Sequence, residues 1–174
     1  ALGVERSGPV EILPTHHGKF PTLTCRYGNG VLLHFVDHWG QVKDLYQAVS
    51  ADARLAGNFG GVFVGEKGWI TSMTTGGAIE GAPSELLGAV GLTTREVSPG
   101  ANTHHANWLR CIRTRQKPSC DEELGHRTAS LGHLANIAGW TGQSLRWDPQ
   151  AEEFTNSKAA NRLRSRTPRS PWNT

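Results

Sequence analysis

The sequence predicts an α+β fold, an open and predominantly antiparallel β-sheet with helices packed on one face. Three observations lead there. Strand-like runs broken by turn residues fill the chain from Val10 to Thr74, and helix-like runs with capping residues fill it from Asn102 to Leu163. Strands and helices segregated in this way build a sheet layered with helices, whereas regular alternation would build a parallel α/β sheet. No internal repeat and no G-x-G-x-x-G turn occurs, so these residues contain no visible dinucleotide-binding half.

The first elements are strands. Thr22 to Tyr27 alternates roughly in polarity, and Val31 to Val36 is strand-rich. Gly28-Asn29-Gly30 between them marks a hairpin, because asparagine and glycine tolerate positive φ. Val10 to Leu13 supplies a third strand. Gly61 to Val64 and Trp69 to Thr74 form a second hairpin around Gly65-Glu66-Lys67-Gly68. The polar segment from Asp37 to Gly60 is long for a bare connection and is expected to form a functional loop or to carry its own short helix.

The later elements are helices. Asn102 or Thr103 caps a helix running to about Arg115, with Trp108, Leu109 and Ile112 expected on its buried stripe. Ser119-Cys120-Asp121-Glu122 has the form of a capping box, and the helix it opens runs to Thr141, where Gly142 stops it. Ser144 to Trp147 reads as a short edge strand closed by Asp148-Pro149. A last helix covers Ser157 to Leu163, ahead of a basic, proline-containing tail.

Composition narrows the function. The 174 residues suffice for one domain with a core, and the net charge of +3 is too small to point to nucleic acid. No apolar run is long enough to span a membrane. Ala1 to Pro9 lacks the basic start and apolar stretch of a signal peptide. Cys25, Cys111 and Cys120 have neither metal nor redox spacing, which favours free thiols over a Cys111–Cys120 bridge.

The helix from Asp121 carries two stripes. Gly125, Gly132 and Gly139 recur every seven residues and so share a face. Each costs roughly 1 kcal/mol against alanine. The regular triplet is expected to lie against another backbone, and Gly132→Leu is expected to be severely destabilising. His126, His133 and Trp140 follow one residue on, with Ser130 between the histidines and Arg127 and Asn136 alongside. These side chains either brace neighbouring loops or line a polar pocket for a hydroxylated ligand. The two histidines stand two turns apart, about 10 Å, which is too far for one first-row metal ion. No metal site is expected.

Several segments resemble one family. Asn107-Trp108-Leu109-Arg110-Cys111-Ile112-Arg113-Thr114-Arg115-Gln116-Lys117-Pro118 resembles the "NFLDCVKSRKKP" segment of bacterial Gfo/Idh/MocA oxidoreductases, the glucose–fructose oxidoreductase and inositol dehydrogenase family. Gly125 to Ala138 resembles the "GHRSATLCHLGNIA" helix that follows it. Leu145-Arg146-Trp147-Asp148-Pro149, Gly65-Glu66-Lys67-Gly68-Trp69 and Arg169-Ser170-Pro171-Trp172 are similar to its "LKWDP", "GEKGW" and "R-[AS]-PW" signatures. Ala1-Leu2-Gly3 resembles the end of its "WALG" helix. The match runs in order along nearly the whole chain.

The resemblance implies that residues 1–174 are the C-terminal substrate-binding and oligomerisation domain of an NAD(P)-dependent oxidoreductase acting on a sugar, polyol or related glycoside. A Rossmann domain holding NAD or NADP would precede Ala1. It would carry the lysine that assists proton transfer, and an acid/base histidine or aspartate would also lie upstream. The chain alone is then expected to be inactive and to bind no cofactor. The partners implied are a small carbohydrate or polyol and further copies of the chain, as a homodimer or homotetramer packed through the sheet face, with no nucleic acid and no membrane. The compartment implied is the cytoplasm, or the periplasm if an upstream segment carries an export signal. Two other readings are a non-catalytic assembly or carbohydrate-binding module, and an NAD-recycling glycoside hydrolase or lyase of the same family.

The candidate substrate-binding residues are His34, His126, Arg127 and His133, with Lys67 as an outsider. His34 lies on a strand whose neighbours Leu33 and Phe35 face the other way. Trp39 is a candidate for stacking on a sugar ring or for plugging the core. Glu66 and Lys67 read as solvated turn residues. Arg162, Arg164, Arg166 and Arg169 read as a solvated or subunit-contacting tail rather than an anion site.

Overall fold

The computed structural model describes residues 3–50, 60–73, 79–89 and 104–171. In chain order its elements are β1 (Pro9–Leu13), β2 (Thr24–Tyr27), β3 (Leu32–His34), two 3-10 turns (Trp39–Gln41 and Lys43–Leu45), β4 (Gly60–Gly65), β5 (Gly68–Met73), β6 (Gly81–Ala82), α1 (Glu85–Ala89), α2 (His104–Thr114), α3 (Glu122–Thr141), β7 (Leu145–Asp148), β8 (Glu153–Phe154) and α4 (Lys158–Arg162). They divide into two compact units, one of Ala1–Val36 with Lys117–Thr174 and one of Asp37–Gln116. The expected α+β architecture is present, with the strands in two antiparallel sheets rather than one.

The first unit is built on a five-stranded sheet in the order β3-β2-β1-β7-β8. β2 and β3 form the expected hairpin. Gly30 takes φ +89°, and its N–H donates to the Tyr27 carbonyl at 3.0 Å. A residue with a Cβ is strained in that conformation. β7 pairs with β1 on one side and β8 on the other, so it is interior, not the edge strand its length implied. The unforeseen β8 is held by a side chain. Phe154 N–H donates to Asn161 Oδ1 at 2.8 Å, and Asn161 Nδ2 donates back to the Phe154 carbonyl at 2.7 Å.

α3 covers one face of this sheet. Leu134, Ile137 and Ala138 are buried against Ile12, Cys25, Tyr27, Leu145, Trp147 and Phe154. Trp147 and Phe154 meet edge-on at 4.9 Å. The thiol of Cys25, inside this core, is pushed up to about 12 by burial. The α3 cap is Asp121, two residues later than the capping box indicated. Its carboxylate accepts from Leu124 N–H at 3.0 Å and from both Arg6 nitrogens, at 3.3 and 2.8 Å. The buried carboxylate thus meets a guanidinium and a helix N-terminus together. Gly142, at φ +61°, ends the helix as expected.

The second unit holds the sheet β4-β5-β6. Glu66 and Lys67 turn the β4–β5 hairpin in solvent. The Asp37–Gly60 connection carries the two 3-10 turns, and Trp39 meets Tyr46 there at 6.1 Å. The cap of α2 expected at Asn102 or Thr103 lies outside the described residues. α2 itself is present, but Trp108, Leu109 and Ile112 are 58%, 47% and 45% exposed, and only Cys111 on this helix is buried. The expected buried stripe is therefore turned outward. Amphipathic spacing identifies an apolar face without saying what covers it.

The glycine stripe is corrected in the same way. An added Cβ at Gly125, Gly132 or Gly139 would meet nothing within 4 Å, and all three are exposed. α3 contacts the sheet through its leucine and isoleucine stripe. A close approach in this unit occurs instead at Gly8, where a Cβ would lie 2.8 Å from the Pro149 side chain.

Two substitutions separate these sites. Gly8→Ala should lower stability by about 1–3 kcal/mol through overpacking. Gly132→Ala should raise it by roughly 0.5–1 kcal/mol, because it removes backbone freedom from the unfolded chain without a clash. Urea unfolding of each variant against the parent chain checks both signs.

Candidate functional site

Side chains from α3 and the β7–β8 turn converge at one point. Arg127 donates from Nε to Glu123 at 2.7 Å and from Nη1 to the Pro149 carbonyl at 2.7 Å. The same Nη1 lies 3.3 Å from Glu152 Oε1. His126 Nε2 stands 2.5 Å from that oxygen. The turn is shaped by Asp148, whose Oδ1 accepts from Gln150 and Ala151 N–H. Arg164, from the basic tail, donates to the Glu152 carbonyl. Glu152 sits at φ +54°, an uncommon conformation for a residue with a Cβ. Its carboxyl is held below the usual range, first by the hydrogen bond with His126 and also by the nearby Arg127 and Arg164 charges.

Farther along α3, His133 and Trp140 are exposed, Trp140 at 69%. The outer face of the helix around them is Gly125, Thr128, Ala129, Gly132, Asn136 and Gly139, with no charged residue after Glu122. An exposed helix face is ordinarily rich in charged residues. This one offers neutral hydrogen-bonding groups and an aromatic ring.

His34 belongs to a different surface. Cys25 and its cross-strand partner Leu33 face α3, so the adjacent pair Thr24 and His34 faces the opposite side of the sheet. His34 Nδ1 lies 2.8 Å from Thr24 Oγ1, and its ring meets Phe20 at 5.5 Å. The Thr24 hydroxyl is also 3.0 Å from the Thr22 carbonyl. If its single proton goes there, His34 Nδ1–H must be the donor to Thr24. Partial burial lowers the His34 pKa. The structure therefore brings His126 and Arg127 together, sets His133 two turns along the same helix, and places His34 beyond the sheet from all three.

Lys67 is exposed in the β4–β5 turn of the other unit. The three cysteines are free. Among the described residues, no three His, Cys, Asp or Glu side chains are grouped to hold a metal ion. No helix among them is long and apolar enough to cross a membrane. Sequence reasoning missed Glu152, the acceptor shared by His126 and Arg127. A loop glutamate 26 positions from its histidine carries no local signal.

Comparison with known proteins adds the decisive observation. Residues 92–174 match a family described as "Oxidoreductase family, C-terminal alpha/beta domain". The match is to the C-terminal domain of the Gfo/Idh/MocA oxidoreductases and covers 92–174 of the 174 residues. It contains α2, α3, β7, β8 and α4, so the His126–Glu152 cluster lies wholly within the Gfo/Idh/MocA match, while His34 lies outside it. No curated protein and no solved structure matches the chain. The family generally uses NAD(P). Among the described residues every strand pair is antiparallel, and a dinucleotide site is built on a parallel βαβ unit.

His34 yields a pH prediction. A histidine with a lowered folded pKa adds stability that is complete above its unfolded value of about 6.5. That stability is lost as pH falls through the folded value, where the unfolded chain binds the proton more readily. The His34 ring should titrate below the unperturbed range by NMR. His34→Gln should flatten the decline in stability between neutral and mildly acid pH.

Proposed function

We propose that the chain is the substrate-binding part of an NAD(P)-dependent oxidoreductase acting on a sugar, polyol or related glycoside. The match of residues 92–174 to the Gfo/Idh/MocA C-terminal domain carries this reading. In it, NAD(P) would supply the hydride chemistry and be held by a nucleotide-binding domain outside these residues. The chain's own residues would bind and orient hydroxyl groups and exclude water. His126, Arg127 and His133 are the groups we assign to that surface. Beyond the Arg127–Glu152 cluster the outer face of α3 carries no Asp, Glu, Lys or Arg, which supports the assignment, because an uncharged polyol is recognised largely by neutral hydrogen-bonding groups and aromatic faces. His34, on the far side of the sheet, would serve a separate role, such as the contact between copies.

We extend the reading to a homodimer or homotetramer formed through the helix-free face of the five-stranded sheet. Glu11 and Arg26 pair on that face at 3.0 Å, so the contact would be polar as well as apolar. Light scattering should give a mass of two or four chains, and a monomer at high concentration would exclude this contact.

Calorimetry tests the main reading. The chain should show no micromolar binding of NAD or NADP and only weak binding of sugars or polyols. Tight cofactor binding, or turnover of a polyol by this chain alone, would place the complete site within these residues and overturn the division of labour.

A further inference from the structure

We propose that Glu152 is a positioning residue for His126, fixing the neutral ring as the Nε2–H tautomer so that Nδ1 serves as a hydrogen-bond acceptor beside the outer face of α3. The functional consequence rests on the reading of that face as a hydroxyl-binding surface.

The tautomer follows from the partners. An ionised carboxylate can only accept, so the ring nitrogen 2.5 Å from Glu152 Oε1 must carry the hydrogen. In a neutral imidazole the other nitrogen is then an acceptor. His126 Nδ1 makes no hydrogen bond among the described residues, and the side chain is 47% exposed. A ligand hydroxyl could donate to it. Ser130 and His133 lie one and two turns along the helix and could meet further hydroxyls of the same molecule.

Loop anchoring alone does not explain the carboxylate. Arg127 already ties the turn to α3 through the Pro149 carbonyl. Glycine or asparagine would occupy the left-handed position of Glu152 with less strain. A glutamate there has a use for its side chain. That side chain is itself oriented, because Arg127 reaches Glu152 while held by Glu123, and Arg164 fixes the Glu152 carbonyl. The arrangement, a histidine whose distal nitrogen is set by a carboxylate, is a recurrent way of defining which nitrogen faces a ligand.

Nitrogen-detected NMR of the imidazoles, in the whole chain and above their titration range, provides the test. Wild-type His126 should show a protonated Nε2 and an unprotonated Nδ1. Glu152→Gln should move both signals toward the mixed pattern of a free imidazole, because an amide can donate or accept. Glu152→Asn, which suits the left-handed backbone and keeps the turn, should do the same. His133 should be unmoved in both variants, and amide spectra report the fold. A mixed or Nδ1–H ring in the wild type, or an unchanged ring in a folded variant, overturns the proposal. myo-Inositol and D-glucose are then added as uncharged polyol probes. A perturbation of Nδ1 in the wild type that is lost in Glu152→Asn supports the functional consequence. An Nε2–H ring that neither polyol perturbs leaves the positioning role intact and defeats the reading of the face as a sugar site.

Discussion

The first unit depends on the double pairing of β1. This strand pairs with β2, which follows closely in sequence, and with β7, more than a hundred residues away. Ile12 is fully buried at the centre of both pairings. Glu11 and Ile12 fix the register of β7 through Arg146 and Leu145. That register turns Leu145 and Trp147 toward α3, because a slip by one residue would reverse every side chain of the strand. The β7–β8 turn and Glu152 are located by the same register. Placement of the His126 cluster therefore begins with a strand outside the Gfo/Idh/MocA match.

The long excursion from Asp37 to Gln116 joins two parts of one sheet and has its own contacts. Local signals survive such a layout well. The β2–β3 and β4–β5 hairpins were legible because Asn29-Gly30 and Gly65-Glu66-Lys67-Gly68 encode turns within a few residues. The end of α3 was legible at Gly142 for the same reason. Non-local choices were not legible. Whether β7 is an edge or an interior strand depends on β8, a two-residue strand held by Asn161, and short strands carry no periodicity.

α3 shows why faces are harder to read than helices. Two stripes competed for the buried side: Leu134, Ile137 and Ala138, and the heptad of Gly125, Gly132 and Gly139. Burying a leucine or isoleucine is worth about 1.5–3 kcal/mol, whereas a glycine has no side chain to bury and its helix penalty of about 1 kcal/mol is the same on either face. Only the branched side chains gain from facing the sheet, and the sheet takes the apolar stripe. On α2 the apolar side has no such outlet, since Trp108, Leu109 and Ile112 remain outward although their spacing reads as a core face. Periodicity measured which side of each helix is apolar. It held no information about the neighbour.

The candidate site follows the same division. His126 and Arg127 could be nominated from sequence because they share a helix segment, and family resemblance supported the choice. Their partner could not, since Glu152 reaches them only after β7 has been fixed on β1 and the turn at Asp148-Pro149 has reversed the chain. His34 was nominated from strand alternation, which correctly identifies that it opposes Leu33 but cannot say which face α3 will cover. Once Cys25 and Leu33 lie under α3, His34 must lie on the other side. A single pocket within this unit therefore cannot use His34 together with His126. Chemistry at His126 is coupled to the β7–β8 turn, whereas chemistry at His34 is coupled to Phe20 and the buried Thr24 on the other face of the sheet. A change at one should leave hydrogen bonding at the other intact, because the buried core of the sheet separates them.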